Sequence, residues 1–190
     1  MPGVAPISMP ISENNPLSKS MVYIWQCQNN VVTLLKIKNR MRAVIQRVNH
    51  ASVTIEGAVK SKIQAGFLIL LGICEEDGKE DVEWLVRKIA ALRVFDDENH
   101  VMNRSILDIN GEALVVSQFT LYASYKKGNR PSWFRAGSHE HSIPLYEAFC
   151  QLLSQALGKP VGTGEFGADM KVELLNDGPV TICMDTKNKE

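Results

Sequence analysis

From Met41 onward, apolar and polar positions fall into short runs separated by regular turn signals. Arg42–Val48 and Ala51–Ile55 are β-branched runs parted by Asn49-His50, which predicts a pair of strands. Gly66–Ile73 is apolar throughout and bounded by glycines, which predicts a central strand buried on both faces. Val82, Leu85, Val86, Ile89 and Leu92 recur at helical spacing and predict one apolar stripe. Asp77, three residues before Glu80, is placed to cap that helix. Ala113–Phe119 predicts another strand, introduced by Asn110-Gly111. A second helix is expected from about Pro144 to Leu157, with Leu145, Phe149, Leu152, Leu153 and Ala156 on one face, Ser142 as its cap and Gly158 as its end. Two last strands, Met170–Leu175 and Pro179–Met184, would be joined by Asn176-Asp177-Gly178. Grouped strands with two separated helices predict a single α+β domain over residues 41–190, with a mixed or mainly antiparallel sheet.

Residues 1–40 read differently. Pro2, Pro6, Pro10 and Pro16 interrupt the first stretch, and no helical or alternating period is sustained. The segment lacks the basic start, continuous apolar stretch and cleavage site of a secretory signal. Glu13 is its single acidic residue, which suits a transit peptide, yet no Arg-rich amphipathic helix accompanies it. The reading adopted is a non-essential extension, such as arises from an upstream start codon, with Met41 the functional start.

Composition narrows the functional classes. With 45% hydrophobic and 22% charged residues, the chain has material for an ordinary core. Lys+Arg and Asp+Glu balance at 21 each, which argues against a broad non-specific grip on nucleic acid and for contact at one end of an RNA. Cys27, Cys74, Cys150 and Cys183 are scattered, with no zinc or redox spacing. Cys74 and Cys183 lie in apolar runs and read as buried free thiols, which suits a reducing compartment. No apolar run approaches the roughly 18 residues of a membrane span.

Two short motifs carry candidate chemistry. Ser117-Gln118-Phe119-Thr120-Leu121 delivers two hydroxyls and an amide to one sheet edge. Such groups either donate to a carbonyl or ribose oxygen, or merely cap the following loop. Gly178-Pro179 is either an ordinary edge turn or a rigid pair of backbone carbonyls, which would gauge chirality by sitting where one enantiomer places hydrogen. Gly162–Gly167 matches G-x-G-x-x-G, but the expected order of elements around it is wrong for a dinucleotide site, so it reads as a turn. His139-Glu140-His141 lacks a third ligand nearby and reads as a solvated loop, so no metal is expected. Lys126, Lys127 and Arg130, with Trp133 and Arg135, form a basic-aromatic loop suited to the phosphates of an RNA end or simply to solvent.

Taken in order, Gln46-Arg47-Val48, Ser117–Leu121, Gly164–Met170 and Asn176–Thr181 resemble the D-aminoacyl-tRNA deacylase family across roughly residues 41–187. The resemblance implies a cytoplasmic, cofactor-free homodimer that cuts D-amino acids, and glycine mischarged on tRNA(Ala), from the tRNA acceptor end. It implies a cis Gly178–Pro179 peptide reaching into the other subunit's pocket to reject L-amino acids. Ser117, Phe119, Phe166 and Met170 would shape the adenosine pocket, and Arg47 and Thr181 would support the Gly-Pro segment. Gln118 and Thr120 would stand at the scissile ester. The motif contains no His or carboxylate to activate Thr120, so assistance from the RNA's own 2′-hydroxyl is the favoured mechanism. The rival from another class is a non-catalytic RNA-binding or DNA-replication-associated module on the same scaffold.

Overall fold

The computed structural model describes residues 24–27, 30–33 and 41–189. In the amino-terminal part, β1 (Ile24–Cys27) and β2 (Asn30–Thr33) form an antiparallel pair, an element that the irregular sequence there does not announce. The rest of the reading of residues 1–40 lies outside the described residues.

The second part begins with β3 (Arg42–Ile55), a single 14-residue strand. The expected break at Asn49-His50 does not occur, because both halves pair with one long neighbour. The reversal comes later, at Glu56-Gly57, where φ is 49° and 81°. Two consecutive positive φ values twist the chain in the sense a tight hairpin needs, and β4 (Ala58–Ile63) folds back on β3. The strand β5 (Gly66–Gly72) lies antiparallel to β3 and parallel to β8 (Glu112–Ser117), and it is buried over nearly all its length as its apolar run requires. Between them come α1 (Lys79–Ala90) and a small antiparallel pair, β6 (Phe95–Asp96) with β7 (Met102–Arg104). After β8 follow a 3-10 turn at Phe119–Tyr122, α2 (His139–Leu157), the short β9 (Gly162–Thr163) and β10 (Met170–Asp185). The sheet order is β10-β3-β5-β8-β9, with β4 branching from β3. This is the expected α+β fold with a mixed sheet and two main helices.

Both helices cover one sheet face. Ala43, Ile45, Phe67, Ile69, Leu71 and Val115 meet Val82, Leu85 and Ile89 of α1 and Leu145, Phe149 and Leu153 of α2. The predicted stripes therefore hold, except that Ala156 is exposed. A second cluster, with Val48, Val53, Ile63, Leu68, Leu114 and Val116, lies where β4 and the distal part of β3 curl over the other face. Beyond their reach that face is open. Val44 and Leu70 are only half-buried there, and Cys183, opposite Val44, is exposed rather than buried as its apolar run suggested. Among the described residues, no helix is long and apolar enough to cross a membrane.

Three local expectations are corrected. The α1 cap is Gly78 with Asp81, whose carboxylate accepts from the Gly78 N–H. Asp77 instead accepts from the Cys74 N–H at 2.8 Å. Helix α2 begins at His139, with the Ser138 hydroxyl accepting from His141 N–H, and Pro144 is tolerated inside it. His139-Glu140-His141 is therefore a helical first turn. Finally, the two strands expected near the end are one, β10. Met170–Asn176 pairs with Ile55–Val48 and Thr181–Asp185 with Gln46–Arg42 of the same neighbour. Residues 177–180 loop out opposite Arg47 alone, so Asn-Asp-Gly makes a wide bulge without reversing the chain.

Candidate active site

The first half of the site is the end of β8. Ser117 is its last residue, beside Leu71 of β5, and Gln118 N–H donates to the Leu71 carbonyl at 2.7 Å. The chain then tightens into the 3-10 turn instead of continuing as strand. That turn folds Gln118 over Thr120, and the Gln118 amide donates to the Thr120 hydroxyl oxygen. No carboxylate or imidazole makes that bond, so Thr120 has an amide neighbour where a general base would be needed. Arg42 braces the turn from β3. Its Nη1 donates to the Leu121 carbonyl at 2.8 Å, and its guanidinium lies 5.1 Å from the centre of the Tyr122 ring. Phe119 projects outward, 55% exposed, and meets Trp133 edge-on at 5.3 Å. Tyr125 and Phe134 are exposed in the same loop, together with Lys126, Lys127 and Arg130.

Phe166 and Met170 do not join one wall within the chain. Phe166 packs towards the helix layer, 5.3 Å from the His139 ring and 6.0 Å from Tyr146. Met170 packs on the second cluster, where a Cβ at Gly164 would collide with its sulfur.

The second half is the β10 bulge. The Gly178–Pro179 peptide is cis, and both residues are exposed. Gly178 has φ 121°, and a Cβ there would press on Val180 and on Arg47 Nη2, so a side chain is excluded twice over. Arg47 anchors the bulge from beneath. Its buried guanidinium donates to the carbonyls of Asp177 (3.2 Å) and Val94 (2.5 Å) and pairs with the carboxylates of Asp177 (3.1 Å) and Asp96 (3.5 Å). Asn176 closes the loop from within. Its Oδ1 accepts from Val180 N–H at 2.9 Å, and its Nδ2 donates to Thr181 Oγ1 at 3.3 Å. Gln46 reaches the same hydroxyl at 3.4 Å. Arg42 and Asn176 were not foreseen as site residues. An Asn directly before Asp-Gly is the one local signal that a side chain would stitch this loop.

The two halves are far apart in one chain. Ser117 is level with Leu71, Ala43 and Met184 across the sheet, three strand spacings from β10. The bulge lies a further four residues along, opposite Arg47. At about 4.8 Å per strand and about 3.3 Å per residue, the separation is roughly 20 Å.

The chain shares its fold with two solved structures. One, titled c-Myc DNA Unwinding Element Binding Protein, is 43% identical, with a TM-score of 0.71 over 75% of this chain and 97% of that one. The other, a probable eukaryotic D-amino acid tRNA deacylase, has a TM-score of 0.66 over 77% and 99%, and at 16% identity it speaks to the fold alone. A D-aminoacyl-tRNA deacylase of Phocaeicola vulgatus is 71% identical over 150 residues, which is 79% of this chain and 100% of that protein. One of Flavobacterium psychrophilum is 60% identical over the same shares. The family model described as D-Tyr-tRNA(Tyr) deacylase matches residues 44–185, and the chain belongs to that family.

Proposed function

We propose that the chain hydrolyses the ester between a D-amino acid and the 3′-terminal adenosine of tRNA, acting as a homodimer. The observation that carries this reading is the division of the site. The polar turn and the Gly178-Pro179 bulge are each firmly braced, yet stand roughly 20 Å apart along the sheet. A second copy laid on the open sheet face would bring its bulge to the first copy's turn. The half-buried Val44 and Leu70 and the exposed Cys183 on that face favour such a covering.

In the dimer, the Gly178 and Pro179 carbonyls fill the space that an L side chain needs and leave room for hydrogen. The Ser117, Gln118 and Thr120 groups hold the ester and the terminal ribose. With Gln118 donating to Thr120, hydrolysis proceeds with the ribose 2′-hydroxyl orienting water. No metal or organic cofactor takes part, glycine on tRNA(Ala) is a second substrate, and the protein works in the cytoplasm.

Purified protein given D-Tyr-tRNA and L-Tyr-tRNA should release only the D-amino acid. No D-selective release would remove this reading. The similarity to the c-Myc DNA Unwinding Element Binding Protein supports a second one, a nucleic-acid-binding module without catalysis. Under it, the protein would bind DNA or RNA and leave both aminoacyl-tRNAs intact.

A further inference from the structure

A buried acid at the start of the domain is left without a counter-charge. Asp77 lies between β5 and α1 and is 4% exposed. Its Oδ2 accepts from the Cys74 N–H, and its Oδ1 is buried with no hydrogen-bond partner. The groups packed around it, including the Cys74 thiol that donates to the carboxylate, bring no positive charge. Cys74 and Tyr122 are neutral and themselves buried, and Asp81 adds a second negative charge. Lys187 is held by Asp81 at 2.5 Å, and Arg42 by Leu121 and Asp185. His141 bonds the Asp77 backbone carbonyl at 3.1 Å rather than the carboxylate. Among the described residues, no cation pairs with Asp77.

Besides Cys74, a second backbone N–H faces the carboxylate, that of Met41. Met41 is fully buried, and its carbonyl accepts from Thr186 N–H at 3.0 Å, which fixes it against the carboxylate. The buried Thr186 hydroxyl is turned to Asp81 and leaves Asp77 unassisted. As a peptide nitrogen, Met41 supplies one neutral donor. As a chain terminus it would supply three donors and a positive charge, the complement of a buried carboxylate with an unmatched oxygen.

We infer that Asp77 is the receptor for a free α-ammonium at Met41, so that the working protein is the chain initiated there. Residues 41–190 number 150, the length over which the Phocaeicola vulgatus relative is matched end to end. This inference is independent of the proposed activity.

The test uses the protein as its own cells make it. A C-terminal tag is placed on the gene at its natural locus, and the purified protein is sequenced from its amino terminus and briefly dimethylated while folded. Met41 is expected as the first residue, with a free α-amine that reacts at least tenfold more slowly than Lys126 and Lys127. In Asp77→Asn that protection should vanish; should the variant not fold, the wild-type labelling rate decides. Any first residue other than Met41, a blocked Met41 amine, or an amine labelled as fast as those lysines overturns the inference.

Discussion

At Thr120, geometry separates a nucleophile from a bystander. Within the chain the Thr120 hydroxyl accepts from the Gln118 amide, and an unassisted hydroxyl is a weak nucleophile, so the proposed mechanism gives it no covalent role. Thr120→Ala should therefore keep deacylation within about tenfold, whereas a nucleophile's loss costs far more, on the order of 10⁴-fold or above. Single-turnover rates on D-Tyr-tRNA distinguish the two. Asp77 governs a different property. Burial above all raises its carboxyl from 3.8 to about 6, so the folded chain holds that proton more tightly than the unfolded one. Its contribution to stability is thus fully present below about pH 4 and lost as pH climbs to about 6, by up to about 3 kcal/mol. Urea unfolding of recombinant 1–190 at pH 4.5 and 7 should show this fall, and Asp77→Asn should flatten it. A chain beginning at Met41 should lack the fall, because an ammonium there favours the charged carboxylate.

Among the elements, legibility followed the range of the forces involved. The α1 stripe and the apolar β5 run were readable because burial writes its period directly into neighbouring residues. The β10 bulge was not, because Asn-Asp-Gly carries a strong local turn signal and only pairing with β3 overrides it. The start of α2 was misplaced for a similar reason. Pro144 resembles a first helical residue, yet the Ser138 cap and the His141 contact with Asp77 extend the helix before it. Of the site, Ser117–Thr120 and Gly178-Pro179 are legible as strings, and Asn176 is marked only by its place before Asp-Gly, while Arg42 acts through a long-range bond that no spacing reveals. Two glycines test the element joints. A Cβ at Gly66 would sit 1.8 Å from the Glu112 carbonyl oxygen, so Gly66→Ala should block the β5–β8 pairing and cost at least about 3 kcal/mol. At Gly158, φ is 67° with open space around the Cβ position, so Gly158→Ala should cost only about 1 kcal/mol. Urea midpoints of the two variants check the contrast.

For the whole molecule, charge is balanced overall but not locally. Lys126, Lys127 and Arg130 are exposed beside Tyr125, Trp133 and Phe134, on the same side as the polar turn. Neutralising all three should weaken tRNA binding and lower the slope of log affinity against log salt by about 2. A filter-binding titration from low to high salt reads both; an unchanged slope would place the RNA elsewhere. The β10 bulge has one more consequence, for the molecule in a crowd. A 16-residue outer strand, paired on one side only among the described residues, is a template on which further copies could add strand by strand. Pro179 offers no N–H to such a newcomer, and residues 177–180 leave the line of the strand. The same four residues thus split the edge into two short lengths, which hinders open-ended addition of strands.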